Sequence, residues 1–304
     1  MTTPHLLAHA DALDLCRALP ADLRLDLVYL DPPYGVGAAM TARTAPGESR
    51  GRRKPESGPV AYDDGASIEA LIAMLAPRLA ALRDRMSERA TLWLHLDHRA
   101  VHDAKVMADR VFGRGAFLGE VVWTPGNGAR GARGFSVTHQ TLLLYARDAA
   151  GRKSVVWNAD DPMLREPYAA TSTAMHFTKV DGDGRRFRER IVSGKAYRYY
   201  ADEGRRLGSV WTDIPAMVAN TPLRKEATGY PTQKPEKLLE RIVRASSREG
   251  DVVCDPMCGS GTTLVVAARL GRRFVGGDAS PRAIEVTSRR LAEAGVTVGA
   301  IDGS

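Results

Sequence analysis

Apolar positions along the chain fall into two kinds of run. Continuous stretches of Leu, Val and aromatic residues occur at 25–30, 91–96, 120–124, 140–145, 252–254 and 274–276. Short runs of this kind predict strands covered on both faces. Between them, apolar residues recur every three to four positions at 67–88, 99–111, 235–247, 262–270 and 281–291, which predicts helices. Ser67 suits an N-cap, and Pro235 and Pro281 suit first-turn positions. Strands alternating with helices predict an α/β fold, an open and mostly parallel sheet. Two segments interrupt the pattern. Residues 41–60, rich in Gly, Pro, Ser and Arg, predict a mobile loop, and residues 146–210, weakly periodic, predict a small inserted domain.

Composition narrows the class. The chain has 304 residues, 44% hydrophobic and 26% charged, as in ordinary globular proteins. No apolar run reaches the roughly 18 residues that span a bilayer; the longest, 71–82, is broken by Pro77 and Arg78. Residues 1–12 lack the basic start and cleavage site of a secretory signal. Three cysteines (Cys16, Cys254, Cys258) are too few for a disulfide framework, so a cytoplasmic location is expected. The net charge of +7 sits in the two interrupting segments, +3 in 41–60 and +4 in 146–210. They read either as polyanion-binding attachments on a neutral body or as solvated arginine-rich surface.

The run at 25–30 ends in Asp31-Pro32-Pro33-Tyr34. Ligands of open α/β sheets bind beyond the carboxyl ends of strands, so these residues stand where chemistry is expected. The prolines lack N–H donors, leaving carbonyls that only accept. A carboxylate with an accepting carbonyl suits a planar amine on an aromatic ring. Together they accept both N–H bonds and draw the nitrogen toward a tetrahedral geometry, while Tyr34 stacks on the ring. The plainer alternative is a strand-ending turn with a packed tyrosine.

A second motif, Asp255-Pro256-Met257-Cys258-Gly259-Ser260-Gly261-Thr262-Thr263, links the 252–254 strand to the 262–270 helix; a strand and Gly276-Gly277-Asp278 follow. A strand, glycine loop, helix, strand and acid in this order predict an adenosine-containing cofactor. The glycines allow close backbone approach, and Asp278 meets ribose hydroxyls. The spacing is not the G-x-G-x-x-G of nicotinamide sites, and the lysine of a phosphate-binding P-loop is missing.

Together the two motifs resemble the S-adenosylmethionine-dependent amino-methyltransferases of DNA in their circularly permuted beta arrangement, with the Asp-Pro-Pro-Tyr motif first and the glycine loop last. The resemblance implies a Rossmann-like methyltransferase sheet of about seven strands flanked by helices. It implies a catalytic half at 1–145, a target-recognition region at 146–210 and a cofactor half at 211–304. Catalysis would rest on Asp31, Pro32, Pro33 and Tyr34. S-adenosylmethionine would be held by Asp11, Ala12, Asp31, Lys234, Asp255, Pro256, Met257, Cys258, Gly259, Ser260, Gly261, Thr262, Thr263 and Asp278. Asp11 is implied at the adenine, and Lys234, within Tyr230-Pro231-Thr232-Gln233-Lys234-Pro235, at the methionine end. Met257 stands where the family usually has Phe. The motif order separates the chain from protein-glutamine and ribosomal methyltransferases. The lack of a Pro-Cys pair separates it from enzymes that methylate cytosine C5 covalently.

The substrate implied is double-stranded DNA with a flipped nucleotide. Adenine N6 is favoured because Asp opens the motif; cytosine N4 is the alternative, and a catalytically inactive DNA-binding subunit a further one. Arg50, Arg52, Arg53 and Lys54 are expected to track the backbone. Arg185, Arg186, Arg188, Arg190 and Arg198 are expected to hold phosphates or read guanine edges. Tyr197, Tyr199 and Tyr200 either stack on bases or form the small domain's core. A homodimer and a cognate restriction endonuclease are partners the resemblance suggests. His95, His98 and His102, and the pair Cys254 and Cys258, lack metal-ligand spacing and are expected to be structural.

Overall fold

The computed structural model describes residues 5–33, 39–41, 60–63, 67–126, 134–217 and 226–301. The chain divides into two units, 1–157 with 209–304 and, separately, Asn158–Gly208. In chain order the larger unit carries β1 (His5–His9), α1 (Ala12–Ala18), β2 (Leu25–Leu30), α2 (Ile68–Arg85), β3 (Met86–Leu96), α3 (Val101–Phe112), β4 (Phe117–Trp123) and β5 (Gln140–Ala146). After the smaller unit come β6 (Val210–Trp211), α4 (Glu236–Ser246), β7 (Val252–Asp255), α5 (Thr262–Arg269), β8 (Arg273–Asp278), α6 (Pro281–Glu293) and β9 (Val298–Ala300). Residues 39–41 and 60–63 pair as a separate antiparallel ribbon.

The nine strands form one sheet in the order β6-β4-β5-β3-β2-β7-β8-β1-β9. β5 is antiparallel to both neighbours, and the other pairings are parallel. The sheet is therefore largely parallel, with nine strands where about seven were expected. β6 and β9 are edge strands of two and three residues, too short to show a period, and β1 is mostly half-buried.

All six residues of β2 are buried, as a strand covered on both faces requires. Along β3 the alternation separates the two covers. Leu92, Leu94 and Leu96 join the core built by Leu15 of α1, Leu71, Leu75, Leu79 and Leu82 of α2, and Ala104 and Ala108 of α3. Trp93 faces the other way, and its indole Nε1 donates to Ser246 Oγ of α4 at 3.0 Å. Ser67 caps α2 by accepting from the Ala70 N–H at 3.2 Å. The helix expected over 67–88 stops at Arg85 because long-range partners lock the turn there. The Arg85 guanidinium donates to the carbonyls of Cys16, Leu19 and Pro20, each at 3.0 Å. Ser87 then donates to Asp26 of β2 at 2.9 Å, already as part of β3.

The smaller unit is narrower than the 146–210 segment expected. Residues up to Trp157 belong to the larger unit: the Val156 N–H bonds the Arg89 carbonyl at 3.1 Å, and Trp157 stacks on Trp93. Within Asn158–Gly208 a three-stranded antiparallel sheet (Lys179–Val180, Arg186–Val192, Lys195–Tyr200) packs buried Phe187 against Tyr200, and buried Phe177 lies against Tyr168.

Candidate active site

Because β2, β7, β8 and β1 are parallel neighbours, their carboxyl ends open on one edge, and each delivers an acid there. Asp31 follows β2, Asp255 and Asp278 end β7 and β8, and Asp11 lies two residues past β1. All four line a cavity of about 480 Å³. Its wall also includes Ala12, Pro32, Pro33, Lys234, Pro256, Met257, Cys258, Gly259, Ser260, Thr262 and Thr263. Fifteen of the residues expected at the site are thus brought together from motifs more than 200 positions apart.

Asp278 organises the glycine loop. One carboxylate oxygen accepts from the Gly259 N–H and the other from the Ser280 N–H, both at 2.8 Å. The Cys258 N–H bonds the Gly277 carbonyl at 2.9 Å, laying the loop along the end of β8. Gly261 shapes the loop from outside the cavity wall. Its φ of +72° is in the left-handed region, and a Cβ there would lie 2.7 Å from Thr287 Cγ2 and Oγ1. Thr287 is buried and donates to the Gly259 carbonyl at 3.1 Å. Arg290 braces the same loop, donating to the Ser260 carbonyl at 3.2 Å and Thr262 Oγ1 at 2.8 Å while paired to Glu236 at 2.6 Å.

Around Asp31 the polar groups interlock. The Lys234 ammonium is paired with Asp31 Oδ2. Lys234 is delivered by a self-bonded turn in which Gln233 accepts from Thr228 and donates to the Glu226 carbonyl at 2.7 Å. Thr232 within it has φ +58°, strained for a β-branched residue. Tyr29, two residues before Asp31, lines the cavity and is hydrogen-bonded through its hydroxyl to His95 Nδ1 at 2.8 Å. His95 Nε2 meets Gln140 Oε1 at 2.7 Å. Gln140 Oε1 can only accept, so Nε2 carries the proton and Nδ1 accepts from Tyr29. Burial first, then the Lys234 charge, holds the His95 pKa down at about 3, so the ring stays neutral. Burial pushes the Asp255 carboxyl up to about 7, and the charge of Asp31 adds to this. Burial raises Asp278 as well, against the two N–H bonds it accepts.

Asp11 is the N-cap of α1. It accepts from the Leu13 N–H at 2.9 Å and pairs with Arg78 of α2 at 2.6 Å. Tyr29, Met74, Arg78 and Tyr230–Gln233 line the cavity without having been singled out individually as site residues. Tyr29 was within reach of sequence reasoning, since residues two apart on a strand share a face. Arg78 and Arg290 were not, because their partners lie 67 and 54 positions away.

Tyr34, Arg50, Arg52, Arg53 and Lys54 lie outside the described residues. The five arginines of the smaller unit differ in their engagement. Arg185 pairs with Asp202 and Glu203 and lies over the Tyr200 ring. Arg186 donates to the Phe177 carbonyl at 2.9 Å, and Arg198 pairs with Glu189 at 3.1 Å. Arg188 is half-buried among Tyr168, Phe177 and Tyr199. Arg190 is exposed, cross-strand from exposed Tyr197.

A largely parallel α/β sheet with an acid-rimmed cavity and glycine loop at its carboxyl edge defines a nucleotide-cofactor-binding protein of the doubly wound class. The sequence matches the DNA methylase family of N6/N4 methyltransferases over residues 25–289, and the chain belongs to that family. It is 25% identical to the type II methyltransferase M.EcaI of Enterobacter cloacae, over 93% of this chain and 68% of that protein. It is also 25% identical to the DNA adenine methyltransferase YhdJ of Escherichia coli K12, over 93% and 81% of the two chains. In fold it is similar to TTHA0409 of Thermus thermophilus, solved in complex with S-adenosyl-L-methionine (TM-score 0.56, 20% identity, 99% of each chain).

Proposed function

We propose that this protein transfers a methyl group from S-adenosylmethionine to the N6 amine of an adenine flipped out of duplex DNA, in the circularly permuted beta arrangement. The observation that carries this reading is that Asp31-Pro32-Pro33 and the 255–263 loop end adjacent strands, β2 and β7, and open on one cavity. The description of YhdJ as an adenine enzyme supports the choice of base, as does the Asp that opens the motif. The type II relatives support a restriction–modification role.

The cavity fits the cofactor chemically. Its volume is in the range of small-ligand sites. A Cβ at Gly259 would lie 3.2 Å from the Tyr230 ring, so the bare backbone leaves the cradle open. Of the residues lining it, Asp278 is assigned to the ribose hydroxyls, Asp11 to the adenine and Lys234 to the methionine end. When bound, S-adenosylmethionine supplies a methyl group activated on a positively charged sulfur. The protein's own part is positioning. Asp31 and the Pro32 carbonyl accept the two amine hydrogens and aim the nitrogen lone pair, and a proton is lost after transfer. Tyr34, next in the chain after Pro33, is assigned to stack on the flipped base. The rate gain comes from orientation and water exclusion, without a covalent intermediate.

The test is to incubate the protein with S-adenosylmethionine and unmethylated genomic DNA, digest to nucleosides and quantify modified bases by mass spectrometry. N6-methyladenine is expected. N4-methylcytosine would keep the chemistry and overturn the choice of base, and no modified base would overturn the reading.

Cofactor affinity should depend on pH through Asp255. A cationic ligand favours the ionised carboxylate, so binding releases a proton and affinity rises as pH passes through about 7. Between pH 6 and 8 calorimetry should show up to about a tenfold gain, lost in Asp255→Asn. The linkage to folding has the opposite sign: stability from this raised carboxyl is full below about pH 4 and is lost as pH rises through 7.

The smaller unit is proposed to recognise the target, and residues 41–60 to track the backbone. Each phosphate-contacting cation contributes about 0.9 to the slope of log affinity against log salt on duplex DNA. Arg190→Gln with Lys195→Gln should therefore lower that slope by about 2 in fluorescence anisotropy, and neutralising Arg50, Arg52, Arg53 and Lys54 by about 3 to 4. An unchanged slope removes the segment concerned from the interface.

A further inference from the structure

The positive charge of the smaller unit is gathered on one element. Residues 146–210 carry an excess of +4, and the hairpin 186–200 alone, with five basic residues and one acid, carries the same +4. Its strands, Arg186–Val192 and Lys195–Tyr200, are joined by a two-residue turn in which Ser193 and Gly194 have φ of +49° and +77°. Such a turn matches the twist of the strands and keeps the ribbon paired to its end. Phe187 at its base is buried, whereas every residue from 189 to 198 is exposed. That exposed part spans four residues on each strand, about 14 Å. Ile191, Val192 and Tyr197 are large apolar side chains left in water there. A two-stranded ribbon has no core of its own for them to fill, so they belong to a surface for a partner.

Register divides the two faces of the ribbon chemically. Residues directly opposite share a face, and successive residues alternate. Arg188 opposite Tyr199, Arg190 opposite Tyr197 and Val192 opposite Lys195 make one face, with three cations, two tyrosines and no acid. The other face carries Glu189 opposite Arg198, and Lys179 of the third strand also pairs with Glu189, so charge there is answered within the protein. A face of cations and tyrosines without a carboxylate is complementary to a polyanion. The shape of the element says which one. The major groove of duplex DNA, about 12 Å wide and 8.5 Å deep, admits a two-stranded ribbon, and a projection of about 14 Å reaches its floor.

Arg188 is the cation on this face whose orientation is built in. Its guanidinium lies 5.5, 5.2 and 5.4 Å from the ring centres of Tyr168, Phe177 and Tyr199. Nε is buried with no hydrogen-bond partner, and the half-buried side chain makes no ion pair among the described residues. A guanidinium held by rings, with its fork uncommitted, is pre-organised for a planar pair of acceptors. Guanine O6 and N7 are that pair in the major groove. Exposed Arg190 and Lys195 suit phosphates, which fix position and carry no sequence.

We infer that the 186–200 ribbon enters the DNA major groove and that Arg188 reads a guanine of the recognised sequence. This rests on the reading that the smaller unit recognises the target, and it names the residue that sets the sequence preference.

The experiment maps the modified sequence in wild-type-treated genomic DNA, then places 7-deazaguanine, which lacks the N7 acceptor, at each of its guanines in turn. Fluorescence anisotropy gives the affinity for each duplex. At one guanine the replacement should weaken wild-type binding by about fivefold or more. Arg188→Gln and Arg188→Lys should bind the two duplexes equally, because neither keeps the fork. Arg188→Lys should also keep the wild-type salt slope, and both variants the wild-type S-adenosylmethionine affinity. A recognised sequence without guanine, or a wild type indifferent to every replacement, overturns the inference whatever the variants do. So do variants that keep the wild-type sensitivity at every guanine, above all if Arg188→Gln lowers the salt slope by about 0.9, the mark of a phosphate contact. The underlying reading is tested apart from this: an unchanged slope with Arg190→Gln and Lys195→Gln removes the smaller unit from the interface, and the inference with it.

Discussion

Asp31→Ala is expected to lower the methyl-transfer rate by at least about 10³-fold, the scale for loss of a positioned acceptor in a water-excluded site. The structure adds a complication that the motif alone does not show. Asp31 is the partner of Lys234, which is 8% exposed. Removing one member of a buried ion pair leaves an uncompensated charge and costs about 3–5 kcal/mol of stability. A dead Asp31→Ala protein would therefore be ambiguous between lost chemistry and lost fold. The melting temperature of the double variant Asp31→Ala with Lys234→Met separates them, because that variant removes both charges and keeps most of the volume, and calorimetric titration with S-adenosylmethionine accounts for the loss of Lys234 from the methionine end. The melting temperature should return toward wild type while transfer stays absent. Transfer restored in the double variant would show that the carboxylate serves only to neutralise Lys234.

The second large effect is expected at Gly261. Replacement by alanine puts a Cβ 2.7 Å from two atoms of Thr287 at a backbone φ of +72°. The left-handed conformation itself costs about 1–2 kcal/mol for a residue with a Cβ, and overpacking a closed region costs a further 1–3 kcal/mol or so. Thr287 has no room to yield without releasing the Gly259 carbonyl that it holds at 3.1 Å. Cofactor affinity should therefore fall together with stability, by about 5- to 30-fold if one or two kcal/mol of the strain reaches the loop. Calorimetric titration with S-adenosylmethionine measures it directly. Adding Thr287→Ala to Gly261→Ala should recover part of the melting temperature by relieving the clash, while the strain at φ remains. No recovery would place the damage elsewhere.

Much of the site was legible because its parts are contiguous in sequence. Asp31-Pro32-Pro33 directly follows β2, and the 255–263 loop begins on the last residue of β7, so motif and strand end are read together. The expected arginine contacts show the opposite case. Arg185 and Arg198 looked like free cations in a basic segment. Each instead meets a carboxylate across the sheet or turn, Asp202 and Glu189 respectively, which a charge count along the chain cannot register. Arg190, indistinguishable from them in sequence, is exposed opposite Tyr197 on the neighbouring strand. His95 was expected to be structural on spacing alone; its actual place, as a neutral link between Tyr29 and Gln140, depends on β3 lying between β2 and β5.

The sequence by itself determined what the backbone period and local chemistry can encode: the alternation of buried strands and amphipathic helices, the accepting tetrapeptide and the glycine loop. These depend on neighbours a few positions apart, where φ, ψ and side-chain direction are set by covalent geometry. Tertiary structure decided which charges meet. Lys234 reaches Asp31 across 203 positions, and Arg78 reaches Asp11 across 67. Such pairs follow from the order in which parallel strands are stacked, and the edge they share turns four separate acids into one cavity. The lateral neighbours of a strand are selected by packing of both faces at once, a condition that no local stretch of chain expresses.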